Sequence, residues 1–356
     1  MKITAAGLTD VGLQREHNED SYSVLEDFNL YVVADGMGGH RAGDVASQMA
    51  TDAIATFFRA TQSEDTTWPF HFDPSISVDE NRLITSVKVA NRKIFEASHR
   101  NRDLRNMGTT VVSIVFSRRR PRAYIAHVGD SRCYRIRKGM IQQLTRDHSL
   151  LNDYLQFMPD MPPERQEEIP KNVITRALGM QDTIIVDLSS ELVEENDRYL
   201  LCSDGLTGMV DDADICRIIS AAGDDLEKAA KDLIAAANER GGDDNITAVV
   251  LRAREVPAEV EDDTERQRRE LGGAKTLEME LEGDDDIARA NTVELDMNER
   301  PTQSPPSDEP EAGASATAES SDSESASEAS PGRKPGARAK GGRRAKSERS
   351  PRKKKS

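Results

Sequence analysis

The sequence predicts an α+β fold in which stacked antiparallel β-sheets are covered by helices. Short apolar runs typical of strands recur through about the first 250 residues. Lys138-Gly139 is a hairpin signal between two of these runs. Only a few long amphipathic helices stand between the runs, which excludes an alternating βαβ sheet and indicates antiparallel pairing.

The predicted strands are apolar runs bounded by turn residues. In chain order they are SYSVLE (21–26), LYVVA (30–34), TVVSIVF (110–116), RAYIAHV (122–128), CYRIRKGMIQQL (133–144), DTIIVDL (182–188), RYLLC (198–202) and ITAVVL (246–251).

Three segments have the apolar spacing of one helix face. In Ala46–Phe57, apolar residues fall at 46, 49, 50, 53, 54 and 57. The same spacing recurs in Glu80–Ala97 and in Leu226–Glu239. We expect the connection from Thr61 to Asp79, which holds the single tryptophan, to be a packed loop; a binding loop is the alternative.

Composition changes near residue 254, which predicts two regions. Residues 1–253 form the predicted folded domain, whereas residues 254–356 lack aromatic residues and are rich in charge, Ser, Ala and Pro. Such a segment buries too little apolar surface to offset its ordering entropy, so we expect a disordered tail. The whole chain has a net charge of -16, and the charges of the tail are separated along it: the tail is acidic first, then rich in Ser, Ala and Pro, and basic from Arg333 to Lys355.

Cysteine content and hydropathy predict a cytoplasmic, soluble protein without a membrane span. Cys133, Cys202 and Cys216 stand far apart and form no CxxC pair, which argues against a disulfide or zinc framework and favours small buried side chains. The N-terminus lacks the apolar core of a signal peptide, and no apolar run approaches the roughly 18 residues of a membrane helix.

Acidic residues adjoin predicted strand ends at four places. They are Asp35-Gly36, Gly129-Asp130, Asp204-Gly205 and Asp243-Asp244. One Asp-Gly pair is usually an ordinary turn, but four sets whose strand ends meet would repel unless cations neutralised them. Oxygen ligands without His or Cys suit Mg²⁺ or Mn²⁺ rather than zinc. The segment GMGGHRAG also lacks the lysine and spacing of a phosphate-binding loop.

The stretch DVGLQREHNEDSY adds an arginine to the acids. Arg15 stands four residues before Glu19 and five before Asp20. Beside a metal pair, a guanidinium is suited to bind a phosphoryl group through two hydrogen bonds. A surface ion pair between Arg15 and Glu19 is the alternative, and this stretch alone favours it.

Eight ordered motifs within about residues 1–253 resemble one protein family, the bacterial metal-dependent protein serine/threonine phosphatases of type 2C (PPM). The resemblance implies a β-sandwich of two antiparallel sheets flanked by helix pairs, a two-metal site at one end of the sandwich, and hydrolysis of phosphoserine and phosphothreonine in proteins. The motifs are DVGLQREHNEDSY, VVADGMGGHRAGDVAS, MGTTVV, HVGDSRCYRI, LTRDHSL, ITRALG, LLCSDGLTGMV and GGDDNITAVV.

The resemblance implies a role for each matching site residue. Two Mn²⁺ or Mg²⁺ ions would be bridged by Asp35, with the Gly36 carbonyl on one ion and Asp204 and Asp244 on the other. Arg15 would bind the substrate phosphate, Glu19 and Asp20 would order metal-bound waters, and Asp130 with Asp204 would hold a possible third ion.

The implied reaction needs no covalent phosphoenzyme. A water bridging the two ions would lose a proton near neutral pH, and the resulting hydroxide would attack phosphorus in line. Cys202 and Ser203 then need no nucleophilic role, and we expect Cys202 to pack within its strand.

The chain departs from the family pattern at two positions. Met37 stands where animal members have a histidine proposed as general acid, and we expect the nearby His40 to be structural. Gly208 stands where some members have another acid near the third metal. Residues 152–172 take the place of the family's mobile flap; they either select substrates or form an inert loop.

Two features of the tail lie outside the resemblance. TLEMEL at 276 and TVELDM at 292 have the alternation of a peptide that adds to a partner's sheet edge, although biased composition also produces such pairs. The basic end suits nucleic acid, another polyanion or the tail's own acidic half, with plain solubility as the alternative.

The leading hypothesis is therefore a bacterial protein phosphatase that acts on phosphorylated proteins and opposes Ser/Thr kinases, and we expect it to be monomeric. The rival is an inactive phosphatase-fold module that binds phosphoproteins or polyanions. Such a module normally loses metal ligands, whereas all the matching acids and Arg15 are present here. A small-molecule phosphatase would share the same reaction centre.

Overall fold

The computed structural model describes residues 1–38, 42–61, 69–70, 72–170 and 173–258. His40 and Trp68, the predicted tail beyond residue 258 and the two peptides within it lie outside the described residues. None of the helices in these ranges is long and apolar enough to cross a membrane.

The described strands form two antiparallel sheets. One has the order β1-β11-β10-β7-β8, and the other has the order β2-β3-β5-β6-β9, with the short β4 paired to β3. The strands are β1 (Lys2–Asp10), β2 (Asp20–Leu25), β3 (Leu30–Met37), β4 (Gly108–Thr109), β5 (Val111–Phe116), β6 (Arg122–Val128), β7 (Arg132–Arg137), β8 (Met140–Gln143), β9 (Asp187–Leu192), β10 (Arg198–Cys202) and β11 (Ile246–Arg254).

A helix pair covers the outer face of each sheet, which confirms the predicted fold class. The pair α1 and α2 packs on the sheet that contains β3, and α6 with α7 packs on the sheet that contains β10. The described helices are α1 (Ala42–Ala60), α2 (Val78–Arg100), α3 (Leu150–Phe157), α4 (Pro163–Glu167), α5 (Asp204–Thr207), α6 (Asp212–Ala221) and α7 (Leu226–Glu239).

Central strands are buried on both faces, which explains their continuous apolar runs. In β3, Leu30, Val32 and Ala34 face the α1–α2 pair, whereas Tyr31 and Val33 face the other sheet. The next residue of the second series is Asp35. Because side chains alternate along a strand, Asp35 continues the face that lies between the two sheets.

An aromatic ladder fills the space between the sheets. The rings of Tyr31 and Phe116 meet edge to face with centroids 6.1 Å apart, and Phe116 meets Tyr199 of the other sheet in the same way at 5.2 Å. Such edge-to-face pairs stabilise by about 0.5–1.5 kcal/mol beyond the burial of their area. The ladder fixes the separation at which groups of the two sheets can meet.

Most predicted elements are confirmed, including the hairpin at Lys138-Gly139. Both turn residues have positive φ, 53° and 78°, and they join β7 to β8. The predicted helices also form, with α7 covering Leu226–Glu239 as expected. Within the loop predicted from Thr61 to Asp79, the described Ser77 begins α2 with a capping box to Glu80.

The predicted strand DTIIVDL is wrong in position. The strand begins only at Asp187, and Ile184 and Val186 instead pack as coil against the core beneath α1 and α2. Their apolar character therefore reflects burial rather than strand pairing. Sequence patterns also missed β1, whose small residues give no strong strand signal, and α6.

The cysteines are free thiols. Cys133 and Cys202 are fully buried, as expected, and Cys216 is partly exposed. Cys133 belongs to the core between the sheets, whereas Cys202 packs toward α6 and α7. Burial raises the pKa of the Cys202 thiol to about 12, which keeps it protonated and unreactive at neutral pH.

Candidate metal centre and active site

Side chains from both sheets converge at one end of the sandwich. Asp20 begins β2 and stands directly opposite Asp35 of β3. In the other sheet, Ser203 follows β10 and Thr247 lies in β11, where it continues the face formed by Val249 and Leu251. The alternation of each strand thus directs four polar side chains into the space where the apolar core ends.

Asp20 links the two sheets through hydrogen bonds. Its Oδ2 accepts from the hydroxyls of Ser203 and Thr247, each at 2.7 Å. Thr9 lies 2.7 Å from Thr247, and the Asn18 amide donates to Thr9 at 2.8 Å. Because Thr247 donates to the carboxylate, its oxygen is free to accept from Thr9, which completes an ordered chain of donors toward Asp20.

Burial and neighbouring charge perturb the titration of this pair. Burial raises the pKa of Asp20 to about 7 against the lowering effect of its two hydroxyl donors, and Asp204 and Asp244 raise it further. Burial also raises the pKa of Asp35 well above its ordinary value, with added repulsion from Asp20, Asp204 and Asp130. Burial is the largest cause of both shifts, and repulsion between the neighbouring carboxylates adds to it.

Asp204 and Asp244 complete the cluster on the side of the second sheet. The Asp204 carboxyl lies beside that of Asp35, and burial together with the charge of Asp244 raises the pKa of Asp204. The Arg15 guanidinium donates to Asp244 at 2.8 Å, and both side chains remain partly exposed. Arg15 therefore pairs with Asp244. The surface ion pair between Arg15 and Glu19, which the sequence stretch alone favours, is not formed.

Asp130 approaches the cluster from the loop after β6. Its side chain is buried, and burial together with the charge of Asp204 raises the pKa of Asp130 to about 7. The neighbouring Ser131 hydroxyl lies 2.7 Å from that of Thr110, which in turn accepts from the Asp35 amide at 3.1 Å. The Asp130 loop and β3 are thus held to each other.

Three buried carboxylate oxygens in this cluster have no hydrogen-bond partner among the residues that the structure describes. They are Oδ1 of Asp20, Asp130 and Asp204. An unsatisfied buried acceptor costs about 1–3 kcal/mol, and more when it is charged. Divalent cations would satisfy all three oxygens and neutralise the repulsion, and an all-oxygen donor set is the one that Mg²⁺ and Mn²⁺ prefer. The residues present therefore fit the expected metal ions.

Close backbone approach explains two glycines of the site. A Cβ at Gly36 would lie 2.1 Å from the Gly43 carbonyl oxygen, and one at Gly205 would lie 2.0 Å from the carbonyl oxygen of Asn245. Gly36 was expected to permit a turn, but β3 continues through it to Met37. Its glycine character instead lets the start of α1 lie against the strand.

Glu19 lies at the edge of the cluster. Burial raises the pKa of Glu19, while a hydrogen bond from the Gly43 backbone lowers it. The Glu19 amide donates to the Asn245 side chain at 2.8 Å, and its carbonyl accepts from Gly36 at 3.0 Å. Glu19 is therefore fixed between β3 and the segment that carries Asp244.

Sequence reasoning missed the residues that position the acids. Asn245 donates to the carbonyls of Val11 and His17, both at 2.9 Å, and so ties the Arg15 segment to Asp244. Ser203 and Thr247 were not assigned as partners of Asp20. Their one available signal was adjacency to the acidic motifs, because the pairing between sheets is absent from local sequence.

The positions that depart from the family pattern are also placed by the structure. Met37 ends β3 and is partly buried. Gly208 is exposed one turn after Asp204, to whose carbonyl it donates at 2.7 Å. The segment 152–172 contains most of α3 and all of α4, and Tyr154 and Phe157 of α3 are exposed.

Comparisons with known proteins agree on one family. The model of the family described as Protein phosphatase 2C matches residues 14–249. The chain is 36% identical over 251 residues to a serine/threonine phosphatase stp of Listeria innocua, covering 68% of this chain and 93% of that protein. It is 35% identical over 263 residues to protein phosphatase PhpP of Streptococcus pneumoniae, covering 71% and 98%.

Solved structures show the same relationship. The serine/threonine phosphatase PstP/Ppp of Mycobacterium tuberculosis aligns with a TM-score of 0.61 at 33% identity, covering 72% of this chain and 100% of that chain. A structure of the PstP catalytic domain in complex with two manganese ions aligns with a TM-score of 0.59 at 33% identity, covering 71% and 99%.

Proposed function

Because this chain belongs to the protein phosphatase 2C family and is a metal-dependent protein serine/threonine phosphatase, we propose that it hydrolyses phosphoserine and phosphothreonine at the acid cluster with two Mn²⁺ or Mg²⁺ ions. The observation that carries this assignment is the set of three buried oxygens on Asp20, Asp130 and Asp204 that find no hydrogen-bond partner within the described ranges. They lie where both sheets end, in the cluster whose Asp244 binds the exposed Arg15.

The proposed roles follow from position in the cluster. Asp35 lies among the acids Asp20, Asp204 and Asp130, whose charges raise its pKa, and this position suits a ligand shared by both ions. Asp204 and Asp244 would hold one ion and the Gly36 carbonyl the other. Asp130 with Asp204 would hold a third ion, while Glu19 and Asp20 would orient water.

When bound, the ions would lower the pKa of a water molecule and withdraw charge from the phosphoryl oxygens. The protein contributes the remaining interactions. Arg15 is partly exposed beside Asp244, so its guanidinium can exchange one carboxylate hydrogen bond for the substrate phosphate. Ser203 and Thr247 hold Asp20 in place, and no side chain of the cluster is required to form a covalent bond to phosphorus.

The substrates in this proposal are phosphorylated proteins, and the reaction opposes Ser/Thr kinases of the same cytoplasm. The relatives named serine/threonine phosphatase and protein phosphatase support a protein substrate over a small molecule. An inactive binding module is disfavoured because the acids are retained and come together with unsatisfied oxygens.

The direct test is phosphate release from a phosphothreonine peptide with Mn²⁺ and again with excess chelator. Asp244→Asn is expected to lower turnover at least about a hundredfold, in the range typical for lost electrostatic stabilisation of the transition state. Its matched control is Asp243→Asn at the adjacent exposed position, which should act like the wild type. Equal activity of the two variants, or turnover in chelator, would overturn the proposed site.

A further inference from the structure

His148 lies between the Asp130 loop and the base of the segment that contains α3 and α4. The Gly129 amide donates to His148 Nδ1 at 3.1 Å, and the His148 amide donates to the Gly129 carbonyl at 2.9 Å. The imidazole is buried and stacks on His127 with ring centroids 4.8 Å apart. One residue therefore holds both backbone polar groups of Gly129.

This double contact fixes the residue that precedes Asp130. Gly129 has a φ of 107°, which only glycine adopts readily, and a Cβ there would lie 2.6 Å from Thr110. On the other side of Asp130, the Ser131 hydroxyl is held by Thr110. With both neighbours fixed, the loop backbone sets the direction of the Asp130 carboxylate.

The backbone of His148 belongs to the neck, by which we mean residues 148–150 and 173–175. Leu150 donates to the Val173 carbonyl at 2.9 Å, and Thr175 donates to the His148 carbonyl at 2.8 Å. Beyond the neck, His148 Nε2 lies 3.3 Å from an Asp187 oxygen, and Arg176 donates to the same carboxylate at 2.9 Å. His148 thus connects the Asp130 loop to the chain entering and leaving α3 and α4.

His127, His148 and Asp187 are close enough to suggest a metal site, with candidate ligand atoms within 4.8 Å of one another. The hydrogen bonds argue against it. Because His148 Nδ1 accepts from the Gly129 amide, the neutral imidazole carries its proton on Nε2, which then donates to Asp187 and has no lone pair for a metal; the 3.3 Å approach of Arg176 to Nε2 is then a contact without a hydrogen bond. His127 Nε2 likewise contacts the Arg146 carbonyl at 2.8 Å.

We propose that His148 is a positioning residue for Asp130, holding the Gly129 turn through Nδ1 so that the carboxylate is directed at the metal cluster. The proposal rests on the proposed cation-binding role of Asp130. The contact between His148 Nε2 and Asp187 is a separate, structural interaction. The proposal therefore predicts different effects for loss of Nδ1 and loss of Nε2. An amide side chain can replace either nitrogen alone.

The test uses His148→Asn and His148→Gln in the full chain. The Asn oxygen replaces Nδ1 and keeps an acceptor for Gly129, whereas the Gln side chain reaches the place of Nε2 and loses that acceptor. Mn²⁺ binding is measured by calorimetry, with melting temperature recorded for the metal-free proteins. Asp130→Asn identifies the component of the isotherm that belongs to Asp130. Asp187→Asn is the control for the other nitrogen.

We expect His148→Gln to weaken the Asp130-dependent component about tenfold, the lower end for loss of a group that orients a metal ligand. His148→Asn and Asp187→Asn should keep the wild-type isotherm. Equal weakening in the Asn and Gln variants, or no weakening in Gln, would overturn the proposal. If His148→Gln does not fold, His148→Ser is measured in its place with the same expectation. An unchanged isotherm in Asp130→Asn would instead reject the role proposed for Asp130.

Discussion

Ser203 of one sheet donates a 2.7 Å hydrogen bond to Asp20 of the other and, together with Thr247, joins the two sheets at the acid cluster. Ser203 is buried, and it also accepts from the Thr247 amide at 3.0 Å. The Ser203 hydroxyl therefore both donates and accepts a structural hydrogen bond. This arrangement suits a residue that orients a carboxylate rather than a nucleophile.

Ser203→Ala should keep phosphatase activity, with turnover lowered about tenfold or less, because Thr247 still donates to Asp20. A hydrogen bond to a charged group contributes about 1.5–3 kcal/mol, so stability should fall measurably. Peptide turnover and thermal unfolding check this, with the exposed Ser220→Ala as control. Complete loss of activity in a well-folded Ser203→Ala protein would point to covalent catalysis instead.

Asp35→Asn should abolish turnover in saturating Mn²⁺ while the metal-free protein becomes more stable. The amide removes one charge from a crowded set of acids and can donate to Asp204. For a domain of this size, each kcal/mol of repulsion relieved raises the melting temperature by about 2–4 °C. The measurements are peptide turnover and thermal unfolding in chelator, beside Asp52→Asn on the exposed face of α1. Substantial residual turnover would contradict the bridging role.

Arg15→Ala should raise KM for a phosphopeptide and lower kcat, because both bound substrate and transition state lose a partner. Stability should change little, since exposed ion pairs such as Arg15–Asp244 contribute about 0.2–1 kcal/mol. Arg15→Lys should recover only part of the loss, because it lacks the planar fork. Steady-state kinetics decide, with exposed Arg59→Ala as control. Unaltered kinetics would leave Arg15 as a partner of Asp244 alone.

The metal-free protein should lose stability as pH rises from about 4 to above 7. Asp20 and Asp130 have folded-state pKa values raised to about 7, so the folded state holds protons that the unfolded chain has released. Unfolding in chelator is compared at about pH 5 and pH 8. Asp130→Asn removes one of the groups and should flatten the dependence, and Mn²⁺ should stabilise more at the higher pH. A profile that rises with pH in chelator would contradict the crowding of these acids.

Truncation after Ala258 should keep turnover of a short phosphopeptide and weaken salt-sensitive binding to polyanions. The predicted boundary after residue 253 falls too close to the fold for this experiment, because Val256 donates to Glu195 at 3.0 Å and packs on the core between the sheets. Both proteins are assayed for peptide turnover and for nucleic-acid binding at two ionic strengths. Loss of turnover would place part of the tail in the active domain, whereas equal weak binding would leave the basic end as a solubilising segment.

The sequence by itself determined the fold class and the candidate acids. Apolar runs bounded by turn residues indicated the strands, and the helices were readable from their spacing, because both signals are local. The acids at Asp35, Asp204 and Asp244 were visible because each adjoins an apolar strand and a turn residue or amide. Local signals failed where a residue is buried without belonging to a strand. Ile184 and Val186 are apolar because they pack on the core, and the sequence pattern wrongly placed them in a strand.

Only the tertiary structure decided which groups meet. Asp20 is 183 residues from Ser203 and 227 from Thr247, and Arg15 is 229 from Asp244. These contacts depend on how the two sheets are stacked and on the register of each ladder, and neither is encoded in any short stretch of sequence. Strand alternation specifies which face a side chain occupies, and the apolar packing between the sheets then brings those faces close enough for the acids to crowd.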